Sequence, residues 1–240
     1  MYSLTDLEIL KLKNGIKATY AVPFIDDVED FIWEAIFSYV RNIPIVDPLN
    51  NIRKKLLYDI VDNVNSIGWS AKTLQISNIA PGSEFELVIQ RADILRKSEK
   101  LGYGILSRSS DPSVLGSALL KHWYLKVNND AITQDVTDKR VCILIKSNDR
   151  TKYAYYEDDV EIYKDQDIRW EWTGSTRTGL KGIRRKDDFC IYRWYPNQTH
   201  FFERFTFPQG ALIFELTPQR LQLSELVGLL LDHLEQSNNS

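Results

Sequence analysis

At 240 residues, with 43% hydrophobic and 26% charged side chains, the chain can bury a sizeable core, which excludes disorder as its main state. The longest apolar runs, such as Leu226 to Leu231, fall short of the roughly 20 residues of a bilayer crossing. Met1-Tyr2-Ser3-Leu4-Thr5-Asp6 lacks the pattern of a signal peptide, so a soluble, cytoplasmic protein is expected. The net charge of −3 hides a local asymmetry: residues 169 to 186 carry Arg169, Arg177, Lys181, Arg184, Arg185 and Lys186 against Glu171 alone. That net +5 leaves −8 for the rest and points to a directed contact with a polyanion.

The first periodic signal is Val28, Phe31, Ile32, Ala35, Ile36, Tyr39 and Val40, an amphipathic helix with Asp26 and Asp27 as N-cap candidates and an end before Pro44. From Asp47-Pro48, the residues Leu49, Ile52, Leu56 and Ile60 keep helical spacing, yet Leu57 to Val61 also reads as a strand, and the switch point stays open. Polar residues around Asn65 separate Ile60-Val61 from Ile67 to Leu74, the pattern of an antiparallel hairpin. Pro81-Gly82-Ser83 breaks the chain. Ser83-Glu84-Phe85-Glu86 matches a capping box, which predicts a helix from Glu84 to about Lys97. Asp111-Pro112 opens a further helix to about Lys126, and Arg140 to Lys146 is an apolar run suited to a central strand.

Beyond it, aromatic-rich strands are expected at Ile168 to Trp172, Phe189 to Tyr195 and His200 to Phe207, with a turn at Pro196 to Thr199. Trp170, Trp172, Trp194 and Tyr195 read as sheet packing rather than base-stacking groups. Ala211 to Leu216 makes another strand, and Leu223, Leu226, Val227, Leu230 and Leu234 line a closing helix. The two cysteines, Cys142 and Cys190, lie in strand-like runs and read as reduced core thiols.

His122, His200 and His233 are scattered, no Cys-x-x-Cys pair exists, and neither a P-loop nor a Gly-x-Gly-x-x-Gly turn is present. Zinc hydrolases, nucleoside-triphosphate enzymes and dinucleotide dehydrogenases lose their support. The hairpin is more informative. Strand alternation puts Ser70 and Lys72 on one face, with Asp59 or Asp62 on the neighbouring strand able to reach the lysine. Glu86, at the start of the expected helix, could fold over that surface, and Gln90 one turn on could orient the site.

These residues resemble the PD-(D/E)XK nuclease superfamily, typified by type II restriction endonucleases, whose core is a helix, a meander carrying Asp and (Asp/Glu)-x-Lys, a helix and a strand. The resemblance covers roughly Asp26 to Lys146. Ser70 stands where the usual pattern has an acid, and the match is to a variant with Ser-x-Lys that draws its second carboxylate from the following helix, where Glu86 is expected. The resemblance implies a mixed α/β (α+β) fold: a restriction-endonuclease-like core at 1–150, a mixed sheet flanked by helices, packed with a β-rich recognition region at 151–240. It implies Mg²⁺ held by Asp59 and Glu86, with Asp62 in reserve. Lys72 would stabilise charge at the scissile phosphate beside Ser70. Site-specific cleavage of double-stranded DNA by a homodimer follows, with Arg177, Lys181, Arg184, Arg185 and Lys186 contacting DNA from a flexible loop. A non-catalytic nucleic-acid-binding protein of the same fold, and a DNA-repair or RNA-processing nuclease, are the alternatives.

Overall fold

A computed structural model describes residues 1–45 and 56–238. The expected helical stretch from Asp47 to Ile52 lies outside the described residues. The mixed α/β class holds: helices flank two five-stranded sheets, and each sheet anchors one compact unit. The chain divides along its sheets rather than near residue 150. The first unit comprises Met1–Ile79, Arg140–Asp158 and Ala211–Ser240, and the second Ala80–Lys139 and Asp159–Gly210.

The first unit opens with α1 (Asp6–Ala21), a helix absent from the expectations although its start is a capping box. The Thr5 hydroxyl accepts from the Glu8 amide, and the Glu8 carboxylate accepts from the Thr5 amide at 2.8 Å. Buried Leu12, Ile16 and Tyr20 lie along one face. Helix α2 (Asp30–Arg41) starts at Glu29 rather than at Asp26 or Asp27, and ends on Asn42 in the left-handed conformation. Asp27 is drawn elsewhere: Lys146, a buried lysine, donates to its carboxylate at 2.8 Å, and Tyr20 donates to it at 3.1 Å.

Strands β1 (Ile60–Asp62) and β2 (Ile67–Ile76) form the expected antiparallel hairpin, with Ile60 opposite Trp69 and Asp62 opposite Ile67. With β4 (Asp138–Ser147), β5 (Lys152–Asp159) and β10 (Leu212–Glu215) they make a sheet in the order β1-β2-β4-β5-β10. One face carries the core: Trp33 and Phe37 of α2 meet Trp69, Tyr155 and Cys142, with Phe37 and Trp69 rings 5.4 Å apart at a steep angle. Burial pushes the Cys142 thiol up, in keeping with an inert core residue.

In the second unit the expected helix at Glu84 is a strand, β3 (Glu84–Arg91). Phe85 and Leu87 point inward at a period of two, and β3 pairs along its length with β9 (His200–Thr206), placing Glu86 opposite Arg204. Pro81-Gly82 is the turn into this ladder, for Gly82 has φ +80° and donates to the Phe207 carbonyl, while the Ser83 carbonyl accepts from the Phe207 amide. The three-residue spacing of a capping box is satisfied equally by a strand, and pairing with β9 decides between them.

The sheet continues through β8 (Phe189–Tyr195), β7 (Leu180–Arg184) and β6 (Ile168–Trp172), all antiparallel. Residues 169–186 are therefore a hairpin and not a flexible loop; only 173–179 form its tip. Between β3 and β4 in the chain come a short helix α3 (Ile94–Lys97) and α4 (Pro112–Thr133), which begins where Asp111-Pro112 predicts and extends about two turns beyond Lys126. Gly116 lets α4 lie against Trp170: a Cβ there would sit 2.2 Å from the indole nitrogen. Trp170 stacks on Tyr192, and Trp194 is buried with its indole donating to the Ala92 carbonyl at 2.9 Å.

Helix α5 (Leu223–Asn238) forms as predicted, but five of its six leucines are exposed and only Leu226 is partly covered. Among the described residues no helix is long and apolar enough to cross a membrane.

Candidate functional site

The hairpin brings two of the expected residues together. Asp59 stands just before β1 and its amide donates to the Trp69 carbonyl at 2.9 Å, carrying the ladder one step past Ile60. Its carboxylate then takes the place of a missing strand neighbour, accepting from the Ala71 amide at 2.9 Å and from Lys72 Nζ at 3.3 Å. The ammonium also donates to the Ala71 carbonyl at 3.0 Å, so two oxygens converge on one cationic position. Both side chains are about a quarter exposed, 26% for Lys72 and 25% for Asp59. Burial pushes the Asp59 carboxyl up, Lys72 and the Ala71 amide pull it back, and the charge of Asp30 raises it again.

Strand alternation assigns the faces. Trp69 and Ala71 belong to the core, and Thr73 donates to Asp30 of α2 through its amide (3.3 Å) and hydroxyl (2.7 Å). Ser70 and Lys72 therefore lie on the opposite face, as the sequence predicts, and Ser70 is buried. Asp62 has a different task. It holds the hairpin turn, accepting from the amides of Val64 and Asn65 and from Asn65 Nδ2 at 2.6 Å, which keeps its carboxyl below the usual range.

Glu86 requires correction, since it begins no helix. It stands within β3 of the second unit, where its carboxylate faces Arg193 at 3.2 Å and Arg204 at 3.8 Å. It belongs to a cross-strand ladder of opposite charges that also includes Glu84, bonded to Arg204. Gln90 likewise orients nothing near a helix start; its amide meets the His122 ring at 3.3 Å, and burial lowers the His122 pKa.

A carboxylate that the sequence reading overlooks shares a cavity with Asp59. Between α2 and β1 lies a space of about 230 Å³ whose walls include Phe31, Glu34, Ser38, Asp59 and Val61. Asp30 and Glu34 are four residues apart on α2, and that i, i+4 pair of acids beside the apolar stripe is the signal that could have found them. Among the described residues no group of three or more His, Cys, Asp or Glu could hold a metal ion. Mg²⁺ does not require such a cage, because it commonly sits on one or two carboxylates and completes its shell with water and substrate phosphate. The Asp59 carboxylate fits that demand, whereas the Ala71 carbonyl is already taken by the Lys72 ammonium.

The basic hairpin is partly neutralised from within. Arg184 bonds Asp187 through two nitrogens (2.9 and 2.7 Å) and reaches the Tyr163 hydroxyl at 2.9 Å. Arg177 donates to the Arg108 carbonyl, and Arg169 to Glu171. Lys181 sits mid-strand between Glu171 and Arg193 in the register. Arg185 and Lys186 are exposed and, with Tyr163, Gln166 and Arg184, line a groove of about 460 Å³ in the second unit. Comparison with protein-family models, with curated proteins and with solved structures finds no match to this chain.

Proposed function

We propose that the chain is a Mg²⁺-dependent endonuclease that hydrolyses phosphodiester bonds of double-stranded DNA at a specific sequence, acting as a homodimer. The observation that carries this reading is the Asp59–Lys72 pair, an acid and an ammonium from adjacent strands at 3.3 Å with the Ala71 carbonyl aimed at the same point. Mg²⁺ would be held by the Asp59 carboxylate, with water and substrate phosphate completing its shell, and would supply Lewis acidity at the scissile phosphate. Lys72 adds a fixed positive charge where the phosphate gains negative charge during attack, and because the chain positions it beforehand no reorganisation opposes it. Glu34, on the wall of the cavity that Asp59 lines, takes the part first expected of Glu86. Arg185 and Lys186 seat the DNA backbone, whose phosphates suit exposed cations.

One observation favours a second reading, DNA binding without cleavage: Ser70 is neutral where an acid would strengthen the metal site. A digest separates the two. The full chain with Mg²⁺ and plasmid DNA is expected to give discrete fragments whose ends share one sequence. A smear means a repair-type nuclease, and uncut DNA overturns the reading. Within the same assay Glu86→Gln keeps the parental rate while Glu34→Gln loses most of it; the reverse result would return the role to Glu86.

For binding, replacing Arg185 and Lys186 together by Ala weakens affinity about equally for all duplex sequences. The slope of log affinity against log salt falls by about two, one per lost phosphate contact. An unchanged slope in a fluorescence-anisotropy titration removes this groove from the interface.

A further inference from the structure

The C-terminal helix combines a fixed root with a bare body. The Leu221 amide donates to the Ala21 carbonyl at 3.0 Å and Arg220 pairs with Asp26, which ties the entry of α5 to the first unit. Beyond that, Leu223, Val227, Leu230, Leu231 and Leu234 are each exposed, from 46% at Val227 to 60% at Leu223. At 3.6 residues per turn these five and Leu226 fall within an arc of roughly 140°, while Glu225, Asp232 and Glu235 fall on the far side. No lysine or arginine occurs between Leu223 and Asn238.

That arrangement selects its occupant. A bilayer surface favours an amphipathic helix with a cationic polar face, and here the polar face is acidic, so anionic lipid is repelled. Nucleic acid is repelled for the same reason. An uninterrupted, uncharged leucine stripe is complementary to itself, and a two-fold axis lays two such stripes together with both sets of acids facing water. Exposed leucines at on the order of 100 Å² each give roughly 500 to 600 Å² per copy and about 1,000 to 1,200 Å² for the pair, which reaches the size of a specific interface. We infer that α5 is the contact between two copies of this chain, the stripe from Leu223 to Leu234 packing on its two-fold mate.

The inference does not rest on the nuclease reading, since its readout is a mass and not a rate. Sedimentation equilibrium of the full chain is expected to give the two-chain mass at micromolar concentration. Leu230→Glu with Leu234→Glu should raise the dissociation constant about 100-fold or more. Should that variant misfold, Leu230→Cys serves instead: mild oxidation links two chains through Leu230→Cys but not through Asp232→Cys on the acidic face. A one-chain mass up to tens of micromolar overturns the inference, as does a dimer indifferent to both leucine changes, or flotation of the wild-type chain with anionic vesicles.

Discussion

On the proposed nuclease reading, Lys72→Ala is expected to lower the rate of DNA cleavage by about 10²- to 10³-fold, the loss typical for removing one preorganised charge that faces the developing charge of a transition state. The lysine is not interchangeable with a surface cation, because the Ala71 carbonyl and the Asp59 carboxylate fix its ammonium at 3.0 and 3.3 Å. Its loss has a second consequence. The Asp59 carboxyl is raised mainly by burial and lowered in part by Lys72, so removing the ammonium raises it further. The proposed metal site needs the ionised form, so the rate is expected to fall as pH drops through the Asp59 value, and in Lys72→Ala that acid limb is expected to move to higher pH. Lys72→Arg keeps the limb in place. Stability moves in the other direction: a carboxyl whose folded pKa is raised contributes stability below its unfolded pKa and loses it as pH rises through the folded value. Asp59→Asn is therefore expected to be as stable as the parent at neutral pH and to lose the proposed cleavage, since its amide oxygen can still accept from the Ala71 amide. A Lys72→Ala protein that cuts within threefold of the parent, or a pH profile that does not shift, would sink the assignment.

The hairpin that carries this pair was legible because its information is local. Polar residues around Asn65 mark the turn, Ser66 adopts φ +53°, and the alternation of Trp69, Ala71 and Thr73 against Ser70 and Lys72 follows from the pleat. The same reasoning recovers β6, β8 and β9, where aromatic and β-branched residues crowd each strand. Glu86 was not legible. Ser83-x-x-Glu86 has the spacing of a helix cap, and only a partner strand far along the chain, with Arg204 opposite, turns it into a ladder. The sheet order of the first unit is hidden for the same reason, since β10 joins β5 across a stretch that belongs to the second unit. Glu34 had a readable position on α2, yet its cavity exists only once that helix lies along β1. Periodicity tells which residues share a face and leaves open which face they meet.

Glu157→Gln costs about 3–5 kcal/mol of unfolding free energy, read as a fall in the urea midpoint at unchanged slope. Glu157 is wholly buried on β5, and four donors hold its charge there. The Trp69 indole donates at 2.7 Å, Arg140 at 3.2 Å, and Arg41 and the Tyr155 hydroxyl share the second oxygen. A buried carboxylate survives only with such compensation, and an amide of the same shape supplies one acceptor oxygen and turns an N–H toward groups that are themselves donors. Arg41 keeps Glu8 at 2.9 Å, but both guanidinium groups lose the charge they share. The exposed pair Arg220–Asp26 is the contrast, for Arg220→Ala should cost no more than about 1 kcal/mol. Replacing Glu157, Arg41 and Arg140 together by apolar residues of similar volume should recover much of the loss, because the penalty comes from leaving charges unpaired rather than from losing attraction. If Glu157→Gln unfolds within 1 kcal/mol of the parent, the network is not closed to water. Through Trp69 it fixes the strand that carries Lys72 on its other face, so a closed network also predicts that Glu157→Gln slows cleavage at temperatures where the fold is still intact.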